Sequence, residues 1–599
     1  MKHPKGSSQS KARLNPFNVA LMLLRSLLPS QDDSTRKRVE GMIRARDIAS
    51  LAQLGQIQDR EYQDSEFGSV SVERQIAALF KKNDAFADER RCTANAIESF
   101  ERGERICAIS NKRLDWYHEH PERIEPVLAH QLRRMEQDIA YLLRDPSQWL
   151  EKYPETIRLT NGATEDRSRV RSAPFLKITG KVRGPRRIIP YVARLLLYYG
   201  VDFTSLKFDD VSCNVITLVP KNWKTFRTIA KEATHSLPFQ LSLDTFFKGL
   251  LRRWGINLSS QAKNQEMARK GSIDGSIATI DLEMASDTLC LNAVAWLLPV
   301  EWFDVLTTFR SSSYRAPWGT GHYAKFSSMG NGFTFTLETL IFAAACRAVG
   351  SQQYAVYGDD IAIETELAPS VVRLLRFLGF KTNGAKSFIS PHSRFRESCG
   401  CDYYKGHLLT PFYLRELPKE SDRSGMSHVL NGLVACSCPG PLWDWIGREV
   451  KRLGLRVVPW NSDSRSGVFA TPNYCWRTKK LRVHRRRGPT DTSPLIGFPV
   501  FNGYAPVQTC RKTLGWRSYF LWFLKKNYGE QRLLLETPNR TTAYLLQLNE
   551  ESLDNAEGTA TVTSSVGIRT FYVHKTRRYD PKPTLTPSYL FLWDEVLGG

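Results

Sequence analysis

Two short apolar runs, Tyr354-Ala355-Val356 and Ile361-Ala362-Ile363, flank the tetrapeptide Tyr357-Gly358-Asp359-Asp360. Runs of this kind broken at a glycine read as a β-hairpin with a tight turn. No other stretch constrains the fold as much, because the turn then presents two adjacent carboxylates at its tip. Neighbouring anions repel unless cations offset them. Hard divalent cations with oxygen ligands, Mg²⁺ above all, are the usual partners. An Asp-Asp pair by itself is more often a solvated turn, so the reading depends on what precedes and follows it.

A second β-type run, Ile277–Ile280, ends on Asp281 and opens the segment DLEMASD, Asp281 to Asp287. A strand ending in a carboxylate puts that group at a sheet edge. If this strand neighbours the hairpin, Asp281 and Asp359 can share two metal ions about 3.5–4 Å apart, the spacing that activates a hydroxyl and stabilises a leaving phosphate oxygen. Asp287 reads equally well as a helix N-cap or first-turn acid. Upstream, Val215–Val219 and Thr228–Ala230 enclose Lys221, Lys224 and Arg227, a strand-loop-strand element carrying three cations.

Downstream of Asp287, the small-residue loop Ser327-Ser328-Met329-Gly330-Asn331-Gly332 precedes a helical pattern that Gly350 ends. Such a loop lets backbone approach a ligand closely, or is an ordinary flexible turn. Pro369 to Phe380 is amphipathic and leads into Asn383-Gly384-Ala385-Lys386. Lys386 is placed to donate a proton to a leaving group, against the plainer reading of a solvated lysine. Phe395 to Gly406, with Pro411-Phe412-Tyr413 after it, interleaves aromatic and basic residues. That suits nucleic-acid contact or a packed hairpin.

Lys and Arg number 84 against 61 Asp and Glu, leaving +23, a surplus suited to a polyanionic partner. With 42% apolar residues and 14 Trp, the chain is globular and not disordered. No apolar run approaches the roughly 20 residues of a membrane span. Lys2 and Lys5 before Val19–Leu24 faintly resemble a secretory signal. Arg25 interrupts the run and no small-x-small site follows, so a buried N-terminal helix and a cytoplasmic protein are expected.

Eleven cysteines, an odd number without regular spacing, fit a reducing compartment. The pairs Cys399/Cys401 and Cys436/Cys438 lack the accompanying Cys-x-x-Cys or His-x-x-x-His of a zinc site, which stands as the minor reading. Residues 1–215 look mainly helical, with helical spacing over Val127–Leu143. Gly180–Arg187 is a basic loop for phosphate or for solvent. Arg477–Arg487 holds seven Lys or Arg, one His and no acid.

The order of these elements resembles motifs F, A, B, C and D of viral RNA-dependent RNA polymerases. SSMGNGFTFTLETLIF, FRESCG and PFYLR are similar to the replicase β subunit of the leviviruses, the Q-beta type of positive-strand RNA bacteriophage. The resemblance is strong from about Leu218 to Arg415. It implies an α+β right hand of fingers, palm and thumb with an antiparallel palm sheet. The expected organisation is an N-terminal helical region over 1–215, fingers over 216–280, palm over 281–415, and thumb with an RNA- or partner-binding region over 416–599.

By the same resemblance, Asp281, Asp359 and Asp360 are the metal-binding acids, for two Mg²⁺ with Mn²⁺ as a substitute, and Lys386 is the general acid. Lys221, Lys224 and Arg227 hold the triphosphate. Asp287 senses the ribose 2′-hydroxyl, the group that distinguishes RNA from DNA substrates. Ser328, Gly330 and Asn331 lie near the nascent base pair. Many viral polymerases carry an Asn within the motif B helix; here Glu338 is the polar residue available, so the ribose network differs in detail.

The implied activity is copying of a single-stranded phage RNA genome from NTPs, in the cytoplasm of the bacterial host. The implied partners are template and product RNA, host elongation factors Tu and Ts, and a ribosomal small-subunit protein. Reverse transcriptase is the nearest rival, but Met284, Ala285 and Ser286 stand where such enzymes place an aromatic gate. A non-enzymatic RNA-binding protein would fit Arg477–Arg487 but not the ordered acids. A two-metal nuclease has no use for the basic strand-loop-strand.

Overall fold

The computed structural model describes residues 14–27, 33–168, 172, 177, 181–200, 207–419, 421–437, 439–486, 496–508, 570–578, 587 and 589–598. The architecture is α+β. A largely helical first third leads into small, mostly antiparallel sheets wrapped by helices.

Four helices dominate the first third: α1 (Pro16–Leu27), α2 (Asp64–Lys81), α3 (Glu89–Glu119) and α4 (Pro126–Leu143). The helical spacing over Val127–Leu143 is α4, opened by Pro126 at its first position, where a missing N–H costs nothing. Its buried stripe, Leu128, Leu132, Met135, Ile139 and Leu142, faces the main core. The apolar run after Lys5 is α1. Val19, Ala20, Leu23 and Leu24 are buried, so this segment is part of a folded core.

The basic strand-loop-strand is a hairpin of β1 (Cys213–Pro220) and β2 (Phe226–Lys231), extended by β4 (Ser313–Ala316) and β5 (Gly319–His322) into a four-stranded sheet. The sheet beneath the acidic segments has three strands, β3 (Ile277–Ile280), β6 (Tyr354–Tyr357) and β7 (Asp360–Glu364), with β7 central. β7 pairs antiparallel with both neighbours, and Ile361 lies opposite Ile280 on one side and Val356 on the other. Burial of all four β3 residues explains its continuous apolar run.

Helix α7 (Thr334–Ala348) lies under this sheet; all its residues but Phe335 and Arg347 are buried. Gly350 ends it at φ +88°, with its N–H donating to Arg347 O at 2.9 Å. The amphipathic stretch from Pro369 forms α8 (Ala368–Phe377), shorter than its pattern because Gly379 at φ +102° turns the chain before Phe380. Phe395–Gly406 is a hairpin of β8 (Phe395–Ser398) and β9 (Cys401–Tyr404). Phe67 of α2 stacks on Tyr404 with ring centres 3.5 Å apart, so this tyrosine is packed and not free for a base.

Two large cores result. One surrounds α7 and the three-stranded sheet. The other joins α1 and α2 to α9 (Tyr589–Gly598) and to residues 414–481, bringing the two ends of the chain together. Arg183 of the basic loop is tied to Glu165 at 2.8 Å and Asp209 at 2.7 Å, so its charge is already compensated. Arg477–Arg487 includes a strand over Leu481–Arg486, while Arg487 lies outside the described residues.

No disulfide joins the described cysteines. Burial pushes the Cys399 thiol up to about 12, the opposite of a metal-binding thiolate. Cys438 lies outside the described residues. Among those described, no helix is long and apolar enough to cross a membrane.

Trp593 of α9 is 1% exposed, meets Trp443 edge-on at 5.5 Å and donates from Nε1 to Phe469 O at 3.0 Å. Trp593→Ala is expected to destabilise this core by about 3–5 kcal/mol, measured as a lowered urea midpoint. Retention of the parent midpoint would show that α9 does not hold the two ends together.

Candidate active site

The β6–β7 turn has two residues, because Asp360 already pairs with Tyr357. Gly358 sits at φ +61°. A Cβ there would lie 2.3 Å from the Phe335 ring of α7, so both the backbone conformation and the space require glycine. Its N–H donates to Thr339 Oγ1 of α7 at 3.1 Å, which pins the turn to the helix.

Only Asp359 therefore stands at the tip, contrary to the expectation of two carboxylates there. Asp360 is the first residue of β7, and side chains alternate along a strand. Its Oδ1 accepts the Cys399 N–H at 3.1 Å, while its carbonyl accepts from Asn264 Nδ2 of helix α6 (Ala262–Asp274) at 3.0 Å.

Asp281 follows directly on the residue paired with Ile361, so the β3–β7 register brings it to the hairpin end of the sheet. Its N–H donates to Ser387 Oγ at 3.1 Å, and its Oδ2 accepts from Asn383 Nδ2 at 2.7 Å. Lys386 Nζ lies 3.3 Å from its Oδ1. Burial pushes Asp281 up, Lys386 pulls it back, and Asp359 pushes it up again. Burial also raises Asp360, to about 6; the Cys399 amide opposes this, while Asp359 and Asp281 add to it. Burial would lower the Lys386 ammonium, but Asp281 and Glu397 outweigh it and the net shift is upward.

The basic hairpin reaches the same cleft. Lys221 is exposed in the hairpin loop, yet loss of solvent around its ammonium lowers its pKa most, Arg227 and Lys386 lower it further, and Asp287 and Asp281 pull it back up. Lys224 is exposed, with its carbonyl accepting from Asn95 Nδ2 at 2.9 Å. Among the described residues Lys221 is the member whose charge meets those of Asp281 and Asp287, with Arg227 beside it, and no contact of Lys224 with the acids is present.

The glycine loop is locked, not flexible. Met329 O accepts the Ala230 N–H of β2 at 2.8 Å, and Gly330, at φ +117°, leaves no room for a Cβ, which would be 2.1 Å from Ala230 O. Asn331 Oδ1 accepts the Phe333 N–H at 3.0 Å, and the Gly332 N–H goes to Gln240 of helix α5 (Leu237–Leu251) at 2.9 Å. Ser328 is buried, and its carbonyl accepts from Thr334 Oγ1 at 3.2 Å.

Asp287 is not the N-cap, which is Met284, but it is the first-turn acid of the alternative reading. It lies inside the four-residue helix Ala285–Thr288, whose entry residue Met284 has φ +52°, and its Oδ1 meets Lys325 Nζ at 2.8 Å. Glu338 of α7 is 2% exposed. Burial pushes it up to about 8, Ser286 opposes, and Asp359 and Asp287 add to the rise. Sequence reasoning missed Lys325, Asn383, Ser387 and Asn264. Asn383 was visible only as a turn residue, and Lys325 only as a lysine two residues before the Ser-Ser of the loop.

Among the described residues no three Asp, Glu, His or Cys converge closely enough to hold a metal ion. The donor chemistry nonetheless suits a hard divalent cation. Asp281 and Asp359 are oxygen donors that raise each other's energy, with Asp360 close behind. In this arrangement the Lys386 ammonium partly offsets their charge.

Asp360 titrates above the 3.8 of an ordinary aspartate, so its ionised form costs stability above about pH 6 and costs nothing once the group is protonated in both states. Asp360→Asn is expected to raise the melting temperature at pH 7.5 in chelator, with the gain fading as pH falls from about 6 to 4. A gain that persists undiminished at pH 3.5 would contradict the buried-carboxylate account.

Comparison with known proteins gives a consistent family. The profile described as RNA replicase, beta-chain matches residues 46–435. The RNA-directed RNA polymerase subunit beta of Escherichia virus Qbeta is 36% identical over 395 residues, 64% of this chain and 65% of that protein. The matched part thus spans just under two thirds of the relative's length. The RNA-directed RNA polymerase beta chain of Escherichia phage MS2 is 40% identical over 217 residues, 35% of this chain and 39% of that one. Among solved structures, the BmCPV RNA-dependent RNA polymerase at its elongation state overlaps loosely, at TM-score 0.36 and 14% identity over 63% of this chain and 37% of that one.

Proposed function

The chain belongs to the RNA replicase β-chain family, and we propose that it is the polymerising subunit of a phage replicase, joining NTPs to an RNA 3′ end on an RNA template. One observation carries this reading: the β3–β7 pairing that sets Asp281 beside the Gly358-Asp359 turn. In the reaction the RNA 3′-hydroxyl attacks the α-phosphorus and pyrophosphate leaves. Positioning and charge neutralisation supply most of the catalysis in such transfers.

Asp281 and Asp359, with Asp360 behind them, would hold Mg²⁺, which when bound lowers the hydroxyl's pKa and stabilises the leaving oxygen. Lys221, Lys224 and Arg227 of the basic hairpin hold the triphosphate, and the charge contact of Lys221 with Asp281 and Asp287 supports this. Lys386 donates a proton to the departing pyrophosphate; its raised pKa keeps it protonated for that task. Asp287 reads the ribose 2′-hydroxyl. The locked Ser328-Gly330-Asn331 loop forms a rigid wall beside the nascent base pair, its stiffness supported by the Gly330 contact with Ala230.

In this reading residues 281–415 are the palm, 216–280 belong to the fingers, 1–215 support fingers and thumb, and 416–599 supply the thumb and an RNA- or partner-binding region. The single-stranded RNA is held by the excess of 84 cationic over 61 acidic side chains, chiefly through phosphates. Work in the host cytoplasm with elongation factors Tu and Ts and a ribosomal small-subunit protein follows from the family alone.

The deciding experiment is template-dependent incorporation by the purified protein with NTPs and with dNTPs in Mg²⁺. RNA synthesis from NTPs is expected; preferential use of dNTPs would favour a reverse transcriptase, and no synthesis would leave an RNA-binding role. Asp281→Asn and Asp359→Asn should each lower incorporation by about 10³-fold or more with the thermal melt and RNA binding retained. Substantial synthesis by either would remove it from the reacting centre. Lys386→Leu should lower kcat by about 10²-fold with little change in KM; a raised KM at unchanged kcat would make it a triphosphate anchor only.

A further inference from the structure

Lys325 is an unusual lysine. Its side chain has no solvent exposure, although it lies only two residues before the glycine loop. A buried ammonium is costly unless paired and hydrogen-bonded. Lys325 Nζ meets Asp287 Oδ1 at 2.8 Å and Glu104 Oε1 at 3.4 Å. It also lies 4.4 Å from the Phe100 ring centre and 5.1 Å from that of Tyr323, where aromatic faces favour a cation.

The segment carrying Lys325 is fastened on all sides. Glu104 Oε2 accepts the Ala324 N–H at 2.7 Å, so one carboxylate aligns both the backbone and the ammonium. Asn111 Nδ2 donates to Ala324 O at 2.7 Å. Arg310 Nη1 donates to Phe326 O at 2.8 Å, and the Phe326 N–H goes to Leu289 O at 2.7 Å.

Asp287 itself has little local support, because a four-residue helix is too short to hold a side chain firmly. Its place comes from α3. A Cβ on Gly103 would lie 3.0 Å from Asp287 O, so only glycine permits this approach at ordinary contact distance. With Oδ1 engaged by Lys325, the Asp287 side chain keeps a 16% exposed face. Its charge acts on Lys221 of the basic hairpin, the residue given the triphosphate in the reading above.

We propose that Lys325 is a positioning residue for sugar selection: gripping Asp287 from behind, it holds the carboxylate's remaining acceptor toward the ribose 2′-hydroxyl. Without the ammonium, Asp287 would face the other acids of the centre uncompensated and would turn away. Glu104, on a helix that never touches the nucleotide in this scheme, then tunes sugar choice through Lys325. The inference rests on the polymerase reading and on the part given there to Asp287.

The test measures kcat/KM for GTP and dGTP on one RNA template, with melting curves, for the parent, Lys325→Met, Glu104→Gln, Asp287→Ala and the Lys325→Met/Asp287→Ala double variant. Lys325→Met should narrow the NTP-to-dNTP ratio about tenfold, because the site's hydrogen bond to the hydroxyl is lost. Glu104→Gln should narrow it less, in the same direction. The double variant should show the ratio of Asp287→Ala alone, since residues acting as one unit are not additive.

An unchanged ratio in Lys325→Met, with only a lowered melting temperature, overturns the proposal; so does a further loss of ratio in the double variant. If Lys325→Met fails to fold, Glu104→Gln decides, and a parental ratio there overturns it. A parent that makes no RNA from NTPs refutes the polymerase reading and the proposal with it. A parent that discriminates beside variants that discriminate equally refutes this inference alone.

Discussion

The antiparallel pairing of β3 with β7 is the interaction on which the rest depends. Asp281 and Asp359 are separated by 77 residues of intervening chain, and backbone hydrogen bonds between Ile280 and Ile361 bring them together. A slip of one residue would turn every side chain of the strand to the other face. That slip is opposed by burial of Ile277, Ala278, Ile280, Ile361, Ala362 and Ile363. Helix α7, buried almost throughout, is the platform under the sheet and fastens the turn through Thr339 and Phe335.

On this platform electrostatics set the conditions for chemistry. The chain carries +23 overall, yet it gathers four acids, Asp281, Asp287, Asp359 and Asp360, around one cleft. Three of them have a counterweight of a different kind: Asp281 has Lys386 and Asn383, Asp360 has the Cys399 amide, and Asp287 has Lys325, while Asp359 stands at the turn. Lys221 is lowered by loss of solvent and then by its cationic neighbours, and raised by the acids. A cleft with unbalanced charges of both signs suits a ligand that brings anionic phosphates together with cations.

The supports of this cleft come from far away in sequence. Helix α3 touches Asp287 through Gly103 and Cys107, and reaches Lys325 through Glu104. Helix α2 is stapled to the extended segment that follows β9, where Gln75 and the Phe412 backbone exchange hydrogen bonds at 3.0 and 3.2 Å. The salt bridge between Arg74 and Asp402 adds to the same contact. The N-terminal third, poor in chemical signatures, is thus the frame that orients the acids.

Much of the fold near the site was legible in the sequence, because period-2 apolar runs and glycine breaks are local signals. The hairpin around Gly358, the strand ending on Asp281, the basic hairpin and helix α7 all follow from such runs. Loop and helix ends were less legible. Asp360 belongs to a strand and not to the turn, because Tyr357 and Asp360 already pair and the loop is only Gly358-Asp359. Asp287 needs no cap role, because a lysine 38 residues on engages it. By itself the sequence determined which residue types could form an acidic, cation-flanked centre, and in what order along the chain. Only the tertiary structure decided which acids face one another, which cations are already spent on ion pairs, and that Glu104 and Lys325 belong to the site. Those outcomes depend on long-range packing and burial, which no local pattern encodes.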